Sequence, residues 1–276
     1  MRWQAEFLHY TYVQAGMDAE LTALVAATDE AEIEFTCNRV RVANYKHSVP
    51  NAPILTLNKP GGIAEWAALD GPRDETVLIV DPDSVFVRPI LDPGPLAAGQ
   101  AYSEMHDYMS VDIPGNRTVI RRHCRQELRA RVQPVGIYIL INRACLAELA
   151  IRWLQKSIEI GADPVSREAL RGTGWLSDMW GYAIAAAELG IHHHLTDFSQ
   201  MTGSDSLHNP IVHYCFPLME NREDFWEPDT QKPVLWSKWT YAPWETPPDS
   251  AGTTVEGAFL LERLREFINA RNAEST

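Results

Sequence analysis

Residues 77–90 read VLIVDPDSVFVRPI, an apolar run that halts at two aspartates one residue apart and resumes at Val85, Phe86 and Val87. A short apolar run bounded by turn formers reads as a buried strand, and VGIYILI at 135–141 is the second strong candidate. In an α/β sheet, ligands collect beyond the carboxyl ends of the strands, which is where Asp81 and Asp83 fall. Two hard oxygen donors there suit a divalent cation, Mg²⁺ or Mn²⁺, that bridges to the phosphates of a nucleotide. DPDS is also composed of turn formers, so this segment alone leaves a cation site and an ordinary turn both open.

Around these runs the pattern alternates between strand and helix. EFLHYTYV near the amino terminus reads as a strand, and Gly16 with Asp18 then opens a helix carrying Leu21, Leu24 and Val25 on one face. A second helix follows Asn58, with Pro60 in its first turn and Ile63, Trp66 and Ala67 pointing inward. The Pro- and Gly-rich segment 92–100 and the polar segment 101–133 read as long loops. After VGIYILI, the spacing of Leu146, Leu149, Ala150, Trp153 and Leu154 predicts an amphipathic helix closed by Gly161. Another helix is expected from Ser177, with Trp180, Ile184, Ala187 and Ile191 along one face and Gly190 near its end. His192, His193 and His194 read as the start of a strand, because adjacent residues point in different directions and one metal site cannot use all three. Residues 213–244 are dense in Trp and Pro, and Thr253 with Glu256 forms a capping-box pair before a helix bearing Leu260, Leu264 and Phe267.

With no repeat and no linker, the 276 residues are expected to form one α/β domain. A formal net charge of −13 argues against a nucleic-acid partner, which would need a basic face to displace counterions. Arg117, Arg121, Arg122, Arg125, Arg129 and Arg131 hold six of the 24 basic residues, with Arg121, Arg125 and Arg129 on one helical face. They are a phosphate or acidic-acceptor contact, or a solvated helix laced with salt bridges. The scattered cysteines read as reduced thiols, and no stretch reaches the roughly 18 apolar residues of a membrane span. A cytoplasmic chain is the expectation.

NKPGG (58–62), the helix segment through Trp66, DETVLIVDPDSVFVRPI (74–90), PVGIYILI (134–141), WLSDMWGYAIAAAELG (175–190) and IVHY (211–214) occur in that order. Through them the chain resembles, over roughly residues 10 to 215, the GT-A glycosyltransferases related to plant hydroxyproline O-arabinosyltransferases and peptidyl-serine α-galactosyltransferases. The resemblance implies a single GT-A domain with a Rossmann-like mixed central sheet flanked by helices. About 1–100 would hold the nucleotide sugar, about 101–250 the acceptor, and 251–276 a carboxy-terminal helix. It makes Asp81 and Asp83 the DxD pair, with Asp83 favoured as direct ligand, and His213 the third ligand to Mn²⁺ or Mg²⁺.

It also places Trp175, Asp178 and Met179 against the transferred sugar and acceptor, with Asp178 the candidate catalytic carboxylate. An Asp in the first turn of a helix equally suits the helix dipole. Lys59, beside a helix amino terminus, is either a contact to uridine diphosphate (UDP) or a solvated charge. Gly61 and Gly62, disfavoured in a helix, point to close backbone approach by the nucleotide or to a simple loop. Lys238 is the candidate diphosphate lysine after His213, although no HxxGxxK spacing is present. The aromatics around it are core or a sugar-stacking surface.

The function implied is metal-dependent transfer of a pentose or hexose from a UDP-sugar to a hydroxyl acceptor (peptide, glycan or small molecule), with retention. The plant relatives are anchored secretory enzymes, so their hydroxyproline acceptor is not carried over. A nucleotide-sugar pyrophosphorylase would share the acidic metal site, but VQAGMD is a weak substitute for its Gly-rich basic loop. A carbohydrate- or peptide-binding module, with the aspartates only a turn, is the third class.

Overall fold

Trp3, Phe7, Leu8, Thr11 and Tyr12 recur at steps of three and four, and in the computed structural model they are buried along one face of helix α1 (Arg2–Gln14). The structure describes residues 2–26, 37–50, 52–69, 71–90, 94–171, 174–201, 206–221 and 232–274. The strand expected from EFLHYTYV is therefore a helix. Its aromatic and β-branched residues favour strands only weakly, and packing against a core overrides that preference. The helix expected after Gly16 is instead strand β1 (Thr22–Val25), paired in parallel with β2 (Asn38–Arg41).

Helix α2 (Asn58–Leu69) begins where its sequence predicts. The apolar run then divides into β3 (Thr76–Ile79) and β4 (Ser84–Phe86), with the aspartates between them. Residues 101–133, expected to be loops, supply β5 (Gln100–Met105), a tight turn at Asp107–Met109, and α3 (Pro114–His123) with proline at its first position. Next come β6 (Val135–Asn142), buried at every position, and α4 (Arg143–Ala162), whose first turn donates Ala144 N to Asn142 Oδ1 at 2.8 Å.

Gly161 lies inside the last turn of α4 rather than closing it. It packs on Ile54, and Asp163 both ends that helix and caps α5 (Pro164–Ala169) through Ser166 N. Helix α6 (Trp175–Leu189) ends as expected at Gly190, which is left-handed at φ 71°. The remainder is β7 (His192–Leu195), β8 (Ser199–Met201), β9 (Ile211–His213), β10 (Leu218–Met219), β11 (Val234–Trp236) and α7 (Val255–Glu274). At the start of α7, Thr254 Oγ1 accepts from Gly257 N at 3.2 Å, while Glu256 accepts from Ser206 N, so the expected Thr253–Glu256 box is replaced.

The strands form two sheets of mixed direction and two short pairs. The first sheet has the order β3-β6-β5-β7, with β6 antiparallel to both neighbours and β5 parallel to β7. Helices α4 and α6 bury Leu146, Leu149, Trp153 and Tyr182 against its Ile139 and Ile141. The second sheet, β4-β9-β8, packs Val85, Val212 and Tyr214 against Phe7 of α1 and Leu260 and Leu264 of α7. The chain thus leaves one sheet at Ile79 and enters the other at Ser84. DPDS is the crossing.

The six arginines do not share a helix. Extended Cys124 separates α3 from the turn at Gln126–Arg131, Arg129 folds back onto the carbonyls of Arg121 and Cys124, and Arg122 grips Asp163 through two bonds of 2.6 and 2.9 Å. All four cysteines are free thiols. Among the described residues no helix is long and apolar enough to cross a membrane.

The α4–α6 contact depends on Gly181: a Cβ there would stand 2.1 Å from Ser157 Oγ and 2.8 Å from Ser157 N. Gly181→Ala is expected to cost roughly 1–3 kcal/mol by forcing two packed helices apart. Urea unfolding reads the loss. Ile151→Ala, on the exposed face of α4, should stay within about 0.5 kcal/mol of the parent.

Candidate functional site

Asp81 follows β3 by two residues and Asp83 immediately precedes β4, so both carboxylates stand at the seam between the sheets. The register of β4 on β9 sets Ser84 opposite His213. His213 Nε2 thereby lies 3.4 Å from Asp83 Oδ2. One ligand atom from each of Asp81, Asp83 and His213 lies within 4.8 Å of the others. Two carboxylate oxygens and an imidazole nitrogen at that spacing fit a small divalent cation such as Mn²⁺ or Mg²⁺.

Two lysines complete the cluster. Lys238 forms an ion pair and hydrogen bond with Asp83, and Lys59 Nζ lies 2.6 Å from Asp81 Oδ1 and 3.6 Å from Asp178 Oδ2. Burial would raise the Asp83 carboxyl, but His213 and Lys238 reverse this and hold it below the usual carboxylate range. Burial would lower His213; the bond to Asp83, aided by Cys215, instead lifts it to about 10. Burial likewise disfavours a charged Lys59, and Asp81 with Asp178 raises it above the ordinary lysine value.

Asp178 projects from the first turn of α6 and is buried, with Oδ1 lacking a hydrogen-bond partner among the described residues. Burial raises its carboxyl to about 6, against the pull of Lys59 and with the help of Asp81. A small cavity beside it is lined by Lys59, Gly136, Trp153, Asp178, Met179 and Tyr182. Met179 is buried there, whereas Trp175, one turn earlier, is 45% exposed. Lys59, Asp81, Asp83, Asp178, His213 and Lys238, drawn from widely separated segments, therefore converge in one cluster.

Gly61 and Gly62 sit differently. A Cβ on Gly61 would fall 2.2 Å from Tyr45 Cδ2, and one on Gly62 would fall 3.1 Å from Val42 Cγ2. Internal packing accounts for these glycines, in place of backbone approach by a nucleotide. Of the aromatics near Lys238, Trp236, Tyr241 and Trp244 join the core around α1 and α7, and only Trp239 is largely exposed.

Residues 101–133, whose polar sequence predicts loops, also bring side chains close to this cluster. Glu104 is buried and accepts from the backbone and hydroxyl of Ser199. His106 and Tyr108 stack at 5.1 Å with an interplanar angle of 9°, and Tyr108 meets Trp175 edge-on at 5.6 Å. Burial, with the positive charge of His213, lowers His106 to about 4, so its imidazole is neutral near pH 7. The available signal was the alternation through AYSEM followed at once by His and Tyr.

The family described as "Hydroxyproline O-arabinosyltransferase family N-terminal domain" matches residues 1–195. Similar proteins include the peptidyl serine alpha-galactosyltransferase of Arabidopsis thaliana, 28% identical over 69% of this chain and 25% of that protein. Hydroxyproline O-arabinosyltransferase RDN2 of Medicago truncatula is 27% identical over 59% of this chain and 45% of its own length. Hydroxyproline O-arabinosyltransferase NOD3 of Pisum sativum is 26% identical over 70% and 58% respectively. The chain thus spans between a quarter and somewhat over half of these relatives. No solved structure matches.

Asp178 gives a signed pH dependence. Its folded pKa, about 6, lies above the ordinary 3.8, so the folded state holds the proton more tightly and stability falls as pH rises through that window. The loss is on the order of 3 kcal/mol. Asp178→Asn should abolish it. Urea unfolding at pH 4 and pH 7 is expected to show the parent losing stability relative to this variant; parallel curves would refute the assignment.

Proposed function

The chain belongs to the hydroxyproline O-arabinosyltransferase family, and from that membership we propose that it transfers a pentose or hexose from a UDP-sugar to a hydroxyl acceptor, using a divalent cation. Its relatives are named as glycosyltransferases. The observation that carries the finer reading is the meeting of Asp81, Asp83 and His213 with two lysines at the sheet seam. The mixed sheets with an acidic pair at their junction support a single GT-A domain. Residues up to about 100 then hold the nucleotide, and those of about 101–250 frame the acceptor.

The bond that breaks joins the anomeric carbon to the diphosphate, and the leaving group gathers negative charge. A bound Mn²⁺ or Mg²⁺ supplies electrostatic stabilisation of that charge. Asp81, Asp83 and His213 hold the cation. Lys59 and Lys238, paired with the same carboxylates, are placed to turn their ammonium groups toward phosphate oxygens. Asp178, ionised above about pH 6, lies beside them to stabilise positive charge on the sugar or to orient the acceptor hydroxyl. Retention fits this set, because the leaving phosphate takes the acceptor proton and no dedicated base is required. The acceptor is a hydroxyl-bearing peptide, glycan or small molecule, the relatives' printed names favouring the first.

Calorimetric titration tests this reading. UDP binding is expected to require Mn²⁺ and to vanish with a chelator. Asp83→Ala should weaken it by roughly two orders of magnitude, as expected for a lost buried charged partner worth about 3 kcal/mol. Slow release of UDP from a UDP-sugar by the parent, absent in the variant, would accompany it. Unchanged binding in Asp83→Ala removes the aspartates from the site, and synthesis of UDP-sugar from sugar phosphate and UTP would instead identify a pyrophosphorylase.

A further inference from the structure

His106 presents a buried polar atom that nothing among the described residues satisfies. The residue is 8% exposed, and its Nε2 has no hydrogen-bond partner. Glu104 Oε2 is 3.9 Å away, beyond hydrogen-bond range. A buried unsatisfied nitrogen carries a desolvation penalty, so its persistence needs a reason.

The surroundings are built around that atom. The tight turn at Asp107–Met109 is pinned by Asn116, which donates to Tyr108 O at 2.8 Å and Ser110 O at 2.9 Å and accepts from Trp180 Nε1 at 3.1 Å. Tyr108 therefore stands rigidly between the His106 ring it stacks on and the Trp175 ring it meets edge-on. Beneath them Gly136 lets Met179 and His106 pack onto the backbone: a Cβ there would lie 2.1 Å from Met179 Cε and 3.2 Å from His106 Cδ2. This wall adjoins the cluster of Lys59 and Asp178, because Gly136 and Met179 line the same small cavity. Tyr108 also lies within the electrostatic reach of Asp81 and Cys215.

We propose that His106, with the aromatic faces of Tyr108 and Trp175, forms the subsite for the sugar ring of the donor, and that His106 Nε2 bonds a ring hydroxyl. A sugar presents C–H faces to aromatic rings and hydroxyls at its edge. An apolar wall with one buried, unpaired nitrogen matches both demands. His106 is thereby a specificity-determining residue, separate from the groups that hold the diphosphate. The inference rests on the donor reading above and goes beyond it by naming where the sugar is read.

The test compares UDP with UDP-galactose, UDP-arabinofuranose, UDP-glucose and UDP-xylose by calorimetry in saturating Mn²⁺, using the full chain. At least one UDP-sugar should bind the parent more tightly than UDP. His106→Ala should remove that advantage, weakening the sugar nucleotide roughly tenfold while UDP binding stays within about twofold. Trp175→Ala, at a partly exposed position that folding tolerates, should act in the same sense, and Tyr108→Phe, which keeps the ring, should not. An unchanged sugar advantage in both His106→Ala and Trp175→Ala, equal loss of UDP and UDP-sugar, or no advantage in the parent overturns the subsite and leaves the donor reading intact. Absence of any Mn²⁺-dependent UDP binding by the parent overturns the donor reading, and the subsite with it.

Discussion

The antiparallel pairing of β4 with β9 is the contact on which the candidate site depends. It lays Ser84 against His213 and extends one residue further, where Tyr214 N donates to Asp83 O at 3.1 Å. Asp83 is thereby held by its backbone as well as by the imidazole that faces its side chain. The hydroxyls of Ser84 and Tyr138 meet at 2.7 Å and tie this second sheet to the buried central strand of the first. Asp83 and His213, 130 positions apart, come together because β4 and β9 pair within one sheet.

What gathers at that crossing is a balanced set of charges. Asp81, Asp83 and Asp178 face Lys59, Lys238 and His213, and each acid has a basic neighbour. Removing ions from water is costly even when they are paired, and well-packed apolar groups would serve stability as well. Six ionisable groups held at one seam are therefore a candidate functional site on physical grounds. Because the partners of the carboxylates are themselves cationic, the cluster under the proposed function would exchange internal ion pairs for bonds to a cation and a diphosphate.

The first turns of α2 and α6 aim Lys59 and Asp178 into the seam, and the sheet face carrying Gly136 supports the aromatic wall beside them. Charged groups thus gather at one end of the candidate site and aromatic rings at the other. The division follows from the architecture, since Asp81 and Asp83 come from the crossing between sheets, His106 and Tyr108 from the end of β5 and the tight turn after it, and Trp175 and Asp178 from the first turn of α6.

Much of this was legible in the residues themselves. The apolar runs at 77–80 and 135–141 marked β3 and β6, the spacing after 142 marked α4, and Gly190 marked the end of α6, because each signal is local. Asp81, Asp83, Asp178, His213, Lys59 and Lys238 were identifiable as residue types in a recurring order of motifs. Other features required the tertiary structure. EFLHYTYV became a helix and residues 22–25 a strand because their partners lie far along the chain, and local preference is too weak to anticipate them. Gly61 is explained by the ring of Tyr45, and the unsatisfied nitrogen of His106 exists only once Gly136, Tyr108 and Trp175 surround it. The sequence alone determined which ionisable and aromatic residues the chain carries and in what order; burial and strand register, which are properties of distant contacts, decided which of those groups meet and what each one faces.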